Sequence, residues 1–334
     1  MKIYFPFLVI CFSFLSLASC KNDQKKEMRE NEKQQEEELV PKTYAEISIK
    51  KGGVWEDRKY VGGTFKNVTE ISLPKEHSDH SDYIRYEGPG WENPQVAYRL
   101  YLDWRNAIDV FGKKVDTMVL ANVGTAKSGS YHEMENWGMD ILKAGKSLGL
   151  GGFGRYVNDT VAHFRNVEST LVKIENSKSS SSIKINYQGW KTGDQSIDLS
   201  AALSIYPKDR YTKVELSPST DLENLTTGIV KSEETSLLQK GGEQGKWAYI
   251  ATYGNKTLAG ENDKLGMVIF YKNQEVTKIL EGPHDHLIVF KPGIEVTYYF
   301  LAAWEQEKNG INSKEEFLAD IDSKLNTLDE KGKL

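Results

Sequence analysis

Thr170-Leu171-Val172-Lys173-Ile174, Ile183-Lys184-Ile185-Asn186-Tyr187, Leu199-Ser200-Ala201-Ala202-Leu203-Ser204-Ile205-Tyr206 and Thr212-Lys213-Val214-Glu215-Leu216 are four runs of strand length, separated by turn-formers such as Asn176-Ser177-Lys178-Ser179 and Pro207-Lys208-Asp209. Apolar and polar residues alternate along them, the period of a half-buried strand. Just upstream, Val161-Ala162-His163-Phe164 reads as another strand. Downstream, Trp247-Ala248-Tyr249-Ile250, Leu265-Gly266-Met267-Val268-Ile269-Phe270-Tyr271, His286-Leu287-Ile288-Val289-Phe290 and Val296-Thr297-Tyr298-Tyr299-Phe300-Leu301 continue the series. Toward the N-terminus, Ala45-Glu46-Ile47-Ser48-Ile49 and Lys59-Tyr60-Val61 alternate with Gly52-Gly53 and Gly62-Gly63, which predict turns. No helical periodicity interleaves these runs, so the expected class is mostly β, an antiparallel sandwich or supersandwich. The C-terminus departs from the pattern. Ser313-Lys314-Glu315-Glu316 has the form of a capping box, and Phe317, Ile321 and Leu325 recur at i, i+4 and i+8, predicting a helix over residues 314 to 328.

At the other end, Lys2 precedes an almost continuous apolar run from residue 3 to residue 17, too short to span a bilayer, which needs about 20 residues. Leu17-Ala18-Ser19-Cys20 follows, with small residues ahead of an acylatable thiol, and is similar to the bacterial lipobox. Residues 1 to 20 are therefore expected to be a lipoprotein signal peptide with Cys20 as the lipidation site, giving a membrane partner through an N-terminal anchor at the outer membrane, on its periplasmic or cell-surface face. Residues 21 to 41 are charged and amide-rich with almost nothing to bury, and read as a disordered tether. Residues 42 to 334 are left for a single large β-sandwich domain.

The chain has two cysteines, Cys11 and Cys20, both in the signal, so the exported domain has no thiol for a disulfide, a thiolate metal site or a cysteine nucleophile. Net charge is -5, and no basic tract occurs in the domain, which argues against a nucleic-acid partner. Aromatics make up 11% of the residues, with 17 Tyr and 7 Trp. Such side chains stack on the C–H faces of sugars, though they also build sandwich cores.

Residues 85 to 165 crowd polar, aromatic and glycine residues beyond what a core requires. In Tyr98-Arg99-Leu100-Tyr101-Leu102-Asp103-Trp104-Arg105, strand alternation puts Tyr98, Leu100, Leu102 and Trp104 on one face and Arg99, Tyr101, Asp103 and Arg105 on the other. The second face suits an anion or sugar, with an ion pair of Asp103 to Arg99 or Arg105 as the plainer alternative. Tyr131-His132-Glu133-Met134-Glu135-Asn136-Trp137-Gly138-Met139-Asp140 flanks His132 with carboxylates and aromatics, a setting for a general base. His132-Glu133 lacks the second histidine of a zinc protease. Gly149-Leu150-Gly151-Gly152-Phe153-Gly154 spells a dinucleotide fingerprint, but it follows a helix-like stretch from residue 139 to 148. It is read instead as a loop delivering Arg155 and Tyr156 toward His132, with His163 and Arg165 on one face of the next strand. His77-Ser78-Asp79-His80-Ser81-Asp82 and His284-Asp285-His286 contain ligand types for a metal but neither has the number and spacing of a closed site, so no metal and no cofactor are expected.

The stretch from residue 88 to 156, with Tyr98 to Asn106, Asp109-Val110-Phe111-Gly112-Lys113-Lys114, His132-Glu133-Met134 and the glycine string, resembles a family of exported proteins from polysaccharide-utilising Bacteroidota that was long described as a domain of unknown function. The strand succession is similar to the galactose-mutarotase-like supersandwich. Within that family the resemblance points to ulvan oligosaccharide dehydratases. It implies loss of water from a non-reducing-end uronic acid, glucuronate or iduronate, to give a 4,5-unsaturated residue for a downstream unsaturated-glucuronyl hydrolase. It supplies no catalytic positions.

The chemistry itself requires neutralisation of the uronate carboxylate, a base at C5 and an acid for the departing 4-hydroxyl. On residue type and crowding, Arg105 or Arg155 would clamp the carboxylate, His132 or His163 would take the proton, and Tyr156 or Tyr98 would donate one. Arg99, Tyr101, Trp104, Trp137 and Arg165 would complete binding of an anionic oligosaccharide. A non-catalytic glycan-binding lipoprotein, a polysaccharide lyase or an epimerase would use the same residue types.

Overall fold

Twenty strands, numbered β1 to β20 in chain order, build three antiparallel sheets among the described residues. The structure is a computed structural model that describes residues 42–125, 130–255, 257–293 and 295–334, together with Met1. Cys20, the expected signal and the tether lie outside the described residues.

The largest sheet runs β15 (Leu238–Gly241), β16 (Trp247–Asn255), β17 (Lys264–Lys272), β20 (Val296–Trp304), β13 (Thr212–Pro218), β12 (Gln195–Ile205), β11 (Ser181–Thr192), β10 (Ser169–Asn176) and β3 (Glu70–Ser72). A six-stranded sheet runs β2 (Lys59–Val68), β1 (Tyr44–Glu56), β4 (Gly90–Glu92), β5 (Val96–Leu100), β6 (Ile108–Lys113) and β7 (Gly138–Asp140). The third has five strands, β18 (Val276–Glu281), β19 (Asp285–Phe290), β14 (Leu225–Val230), β8 (Leu150–Val157) and β9 (Thr160–Ala162).

Alternation dictates which faces meet. In β12 the residues Ile197, Leu199, Ala201, Leu203 and Ile205 are buried while their polar neighbours face outward. They join Tyr98, Leu100 and Val110 from the six-stranded sheet and Leu150, Phe153 and Phe290 from the five-stranded one in a single hydrophobic core. The far face of β16, β17 and β20 is apolar as well, and helix α1 (Lys314–Lys331) covers it with Phe317, Ile321, Leu325 and Leu328. Ser313 caps the helix, its hydroxyl accepting from the Glu316 amide at 3.1 Å. Glu316 reaches back to the amide of Asn312. The mostly-β antiparallel class with one closing helix is thus as the patterning implied.

Five local readings need correction. Gly52-Gly53 and Gly62-Gly63 are not turns: Gly53 pairs with Gly62 inside the β1–β2 ladder, and the chain reverses at Asp57-Arg58. Paired glycines here make an irregularity within a hairpin. Residues 141 to 148 are irregular, with one turn at Gly145-Lys146, rather than helical after β7. The glycine string is strand β8, not a loop. Gly149 has φ +69°, and a Cβ there would lie 1.9 Å from the Ile108 carbonyl oxygen, while one on Gly151 would strike the Phe300 ring. The glycines allow β8 to pass closely against β6 and β20. Finally, the strand predicted through residue 105 ends at Leu100, and the chain turns with Asn106 at φ 50°. His163 likewise falls just past β9.

Candidate functional site

β5 and β6 pair with Arg99 opposite Asp109. Tyr98, Leu100 and Val110 face the main core, while Ala97 and Phe111 face a satellite cluster with Tyr86, Val119, Leu120, Tyr131 and Trp137. Both sheet faces are covered, so any charge between them must be paired. Arg99, 0% exposed, donates from Nη2 to Asp109 Oδ2 and Asp140 Oδ2 at 2.8 Å each. It also meets the Tyr101 hydroxyl, and its Nη1 donates to the Tyr131 hydroxyl at 3.3 Å. Its guanidinium lies 4.3 Å from the Tyr101 ring centre and 5.2 Å from that of Tyr131. Two carboxylates share one cation here. Burial, and then the charge of Asp140, push the Asp109 carboxyl up to about 7.

His132 stands at the open end of this cage. Its Nδ1 lies 3.2 Å from Asp140 Oδ2, and its side chain is 55% exposed while Asp140 is almost wholly buried. Its ring packs against Tyr131 at 4.2 Å between centres. A carboxylate on Nδ1 fixes the tautomer that leaves the Nε2 lone pair for a proton.

The other end of the cage leads to Arg105. The Arg105 guanidinium lies 3.9 Å over the Tyr101 ring and is held by Asp103 and, at 2.8 Å, by Asp79. Asp79 and Asp103 open onto a cleft of about 740 Å³ also lined by Arg58, Lys75, His77, Trp104 and Arg165. Arg165 stacks on Trp104 at 3.7 Å, and His163 meets the same indole edge-on. Among the described residues Arg58, Lys75 and Arg165 make no ion pair, and the carboxylate of Glu168, likewise without one, lines the same cleft beside the Trp104 face. A run of side-chain contacts therefore joins His132, through Asp140, Arg99, Tyr101 and Arg105, to the cleft.

Backbone strain gathers at the same place. His80 (φ 56°), Asp82 (φ 60°), Tyr86 (φ 40°), Glu87 (φ 65°) and Asn106 (φ 50°) are all left-handed non-glycine residues. Each costs about 1–3 kcal/mol, and such outliers cluster where function constrains the chain.

A family described as a domain of unknown function, DUF4861, matches residues 13–331. The chain belongs to this family. No curated protein matches it. Among solved structures, a protein provisionally named an aldose 1-epimerase from Klebsiella pneumoniae is similar at 7% identity with a TM-score of 0.34, over 73% of this chain and 84% of that one. A likeness that loose bears on neither fold nor chemistry.

Within this DUF4861 member the expected site residues divide. His132, Arg99, Tyr101, Arg105, Trp104, Arg165 and His163 fall along the cage and cleft. Trp137 packs edge-on to Phe111 in the satellite cluster. His163 is held through Nδ1 by the Arg105 carbonyl at 2.8 Å, and burial is the main reason its pKa falls below the usual histidine value. Three residues stand elsewhere. Tyr98 is fully buried, donating to the Arg210 carbonyl at 2.8 Å and accepting from the Ala302 amide at 3.0 Å, because its strand face is the core face. Arg155 is buried on β8, where it donates to the carbonyls of Glu223 and Thr192. Tyr156, beside it, bonds Asp159 and lies under Lys278. Neither is joined to His132, since β8 is a strand of another sheet. Of the two alternatives for Asp103, the ion pair is the one formed, and it is made to Arg105.

Sequence reading passed over Asp109, Asp140 and Tyr131 as site members. One signal was available: Ile108-Asp109-Val110-Phe111 places a lone carboxylate in an apolar strand, which demands a buried cation.

Of the histidine groups, His77 is spent between the Ser81 hydroxyl and the Leu102 carbonyl, 2.8 Å from each. Asp79, His80 and Glu87 could together hold a cation, since each brings a donor atom within 4.8 Å of the others, but Arg105 already shares Asp79 and Glu87. Asp285 accepts from the Leu148 amide at 2.8 Å, a bond that ties β19 to the turn before β8.

Proposed function

We propose that this chain is an exported, lipid-anchored dehydratase that removes water from the non-reducing-end uronic acid of an anionic, ulvan-type oligosaccharide and leaves a 4,5-unsaturated uronate. The observation that carries this reading is the exposed His132 imidazole oriented by buried Asp140, at one end of an arginine-centred cage whose other end opens on a charged, aromatic cleft.

His132 takes the C5 proton through Nε2. Asp140 holds the ring and stabilises the imidazolium that results, as a buried carboxylate does in other histidine bases. Arg99 and Arg105 are neutralised by Asp109, Asp140, Asp103 and Asp79 and therefore act as scaffold. Binding of anionic groups farther along the oligosaccharide falls to Arg165, Lys75 and Arg58, with Trp104 under a sugar face. The reaction needs only a base, an acid and cationic binding groups, all of which this chain's side chains supply. The lipobox-like Leu17 to Cys20 supports a position at the outer membrane, where incoming oligosaccharide is met.

The test is incubation of purified protein with glucuronate- and iduronate-ended ulvan oligosaccharides, following the absorbance of the conjugated uronate and the loss of one water by mass. Binding without product would instead support a glycan-presenting lipoprotein. Cleavage with release of a shorter sugar would mark a polysaccharide lyase, and a recovered C5 epimer an epimerase.

A further inference from the structure

We infer that Tyr131 is a catalytic residue, the acid that protonates the departing 4-hydroxyl, and that its place beside His132 makes the enzyme select glucuronate over iduronate ends. This rests on the dehydratase reading above.

Three phenols lie around the cage, and two have committed their protons. Tyr86 donates to Glu46 at 2.6 Å and Tyr101 to Asp109 at 2.9 Å. Tyr131 is the exception: its oxygen accepts from Arg99 Nη1 at 3.3 Å, and among the described residues its own proton has no acceptor. The residue is half-buried, and its ring centre is 4.2 Å from the His132 imidazole. A phenolate left at Tyr131 would face the Arg99 guanidinium, which is locked in place by Asp109 and Asp140.

The proton balance closes. His132 Nε2 takes the C5 hydrogen, and the electron pair of that bond becomes the C4=C5 double bond as the C4–O bond breaks. The oxygen leaves with the Tyr131 proton as water. The proton now on His132 returns to Tyr131 through solvent, so the enzyme is regenerated without a co-reactant.

Adjacent base and acid can serve only one face of a pyranose. In glucuronate the C5 hydrogen and the 4-hydroxyl project from the same face of the ring, whereas in iduronate, the C5 epimer, they project from opposite faces. Side-by-side His132 and Tyr131 fit the first arrangement.

Wild type, Tyr131→Phe and His132→Ala are assayed on trisaccharides ended by glucuronate, by iduronate and by 4-deoxy-4-fluoroglucuronate, whose fluoride leaves without a proton. We expect wild type to turn over the glucuronate end at least tenfold faster than the iduronate end. Tyr131→Phe should lose about 10²- to 10⁴-fold on glucuronate yet stay within about threefold of wild type on the fluoride, where His132→Ala is inactive. Tyr131→Phe within about threefold of wild type on glucuronate overturns the assignment, as does its inactivity on both glucuronate and the fluoride, which a merely structural tyrosine would give. Faster turnover of iduronate overturns the facial selection. Absence of unsaturated product from wild type on all three removes the dehydratase reading itself.

Discussion

At the scale of single residues, the site is built from side chains whose surroundings decide their jobs, and His132 and Arg155 illustrate the contrast. His132 is over half exposed, so its replacement by alanine should leave thermal stability within about 0.5 kcal/mol. Turnover should fall about 10²- to 10⁴-fold with oligosaccharide affinity retained. Calorimetric binding beside the absorbance assay checks both halves. Arg155→Ala should do the reverse. It strands the carbonyls of Glu223 and Thr192, a loss of about 1–3 kcal/mol that shows as a lower melting temperature. Residual turnover should stay near normal once the variant is assayed cold. Residue type alone had suggested a carboxylate clamp at Arg155, because a local pattern records neither strand pairing nor which sheet a strand joins. His132 differs in that its own segment brings Tyr131 and Asp140 within reach by short-range chain geometry.

Elements were read more securely than sites, and the alternating strands show why. Period-2 burial is a local property, so β10 to β13 could be placed to within a few residues, and the helix announced itself by Ser313, Glu316 and the spacing of Phe317, Ile321 and Leu325. Pairings across long sequence distances, such as β17 beside β20 or β13 beside β20, leave no such mark. The helix offers a sharp test of packing. A Cβ on Gly266 would lie 2.5 Å from the Phe317 ring, so Gly266→Ala must displace the ring that anchors α1. Overpacking of this kind costs about 1–3 kcal/mol. Phe317→Ala, which empties the site, should cost about 3–5 kcal/mol. Denaturant midpoints compared at constant m-value measure both.

For the whole molecule, buried acids set the response to pH. Burial pushes the carboxyls of Asp285 and Glu307 up to about 7, against about 4 for carboxylates in an unfolded chain. Between those values the folded state binds more protons than the unfolded state. These two groups therefore make stability fall as pH rises from about 4 to about 7, with no further change above that. Asp285→Asn keeps an acceptor for the Leu148 amide and has no proton to lose. It should shrink the difference between urea midpoints measured at about pH 5.5 and about pH 8; an unchanged difference would place the effect in other groups. Removal of residues 1 to 41, an expected signal and a tether with little to bury, should leave one cooperative melting transition for residues 42 to 334.

A nine-stranded sheet also raises the question of where it stops. Its two borders are β3, three residues long, and β15, four residues long, so an incoming chain finds only a few backbone groups to copy. The ten-residue β2 is the longer border, on the six-stranded sheet, and it is interrupted by two successive left-handed glycines and carries Lys59 and Lys66. Short, kinked and charged rims deny a template to templated fibre growth. A sheet-rich protein at high local concentration can in this way stay dispersed among its own copies.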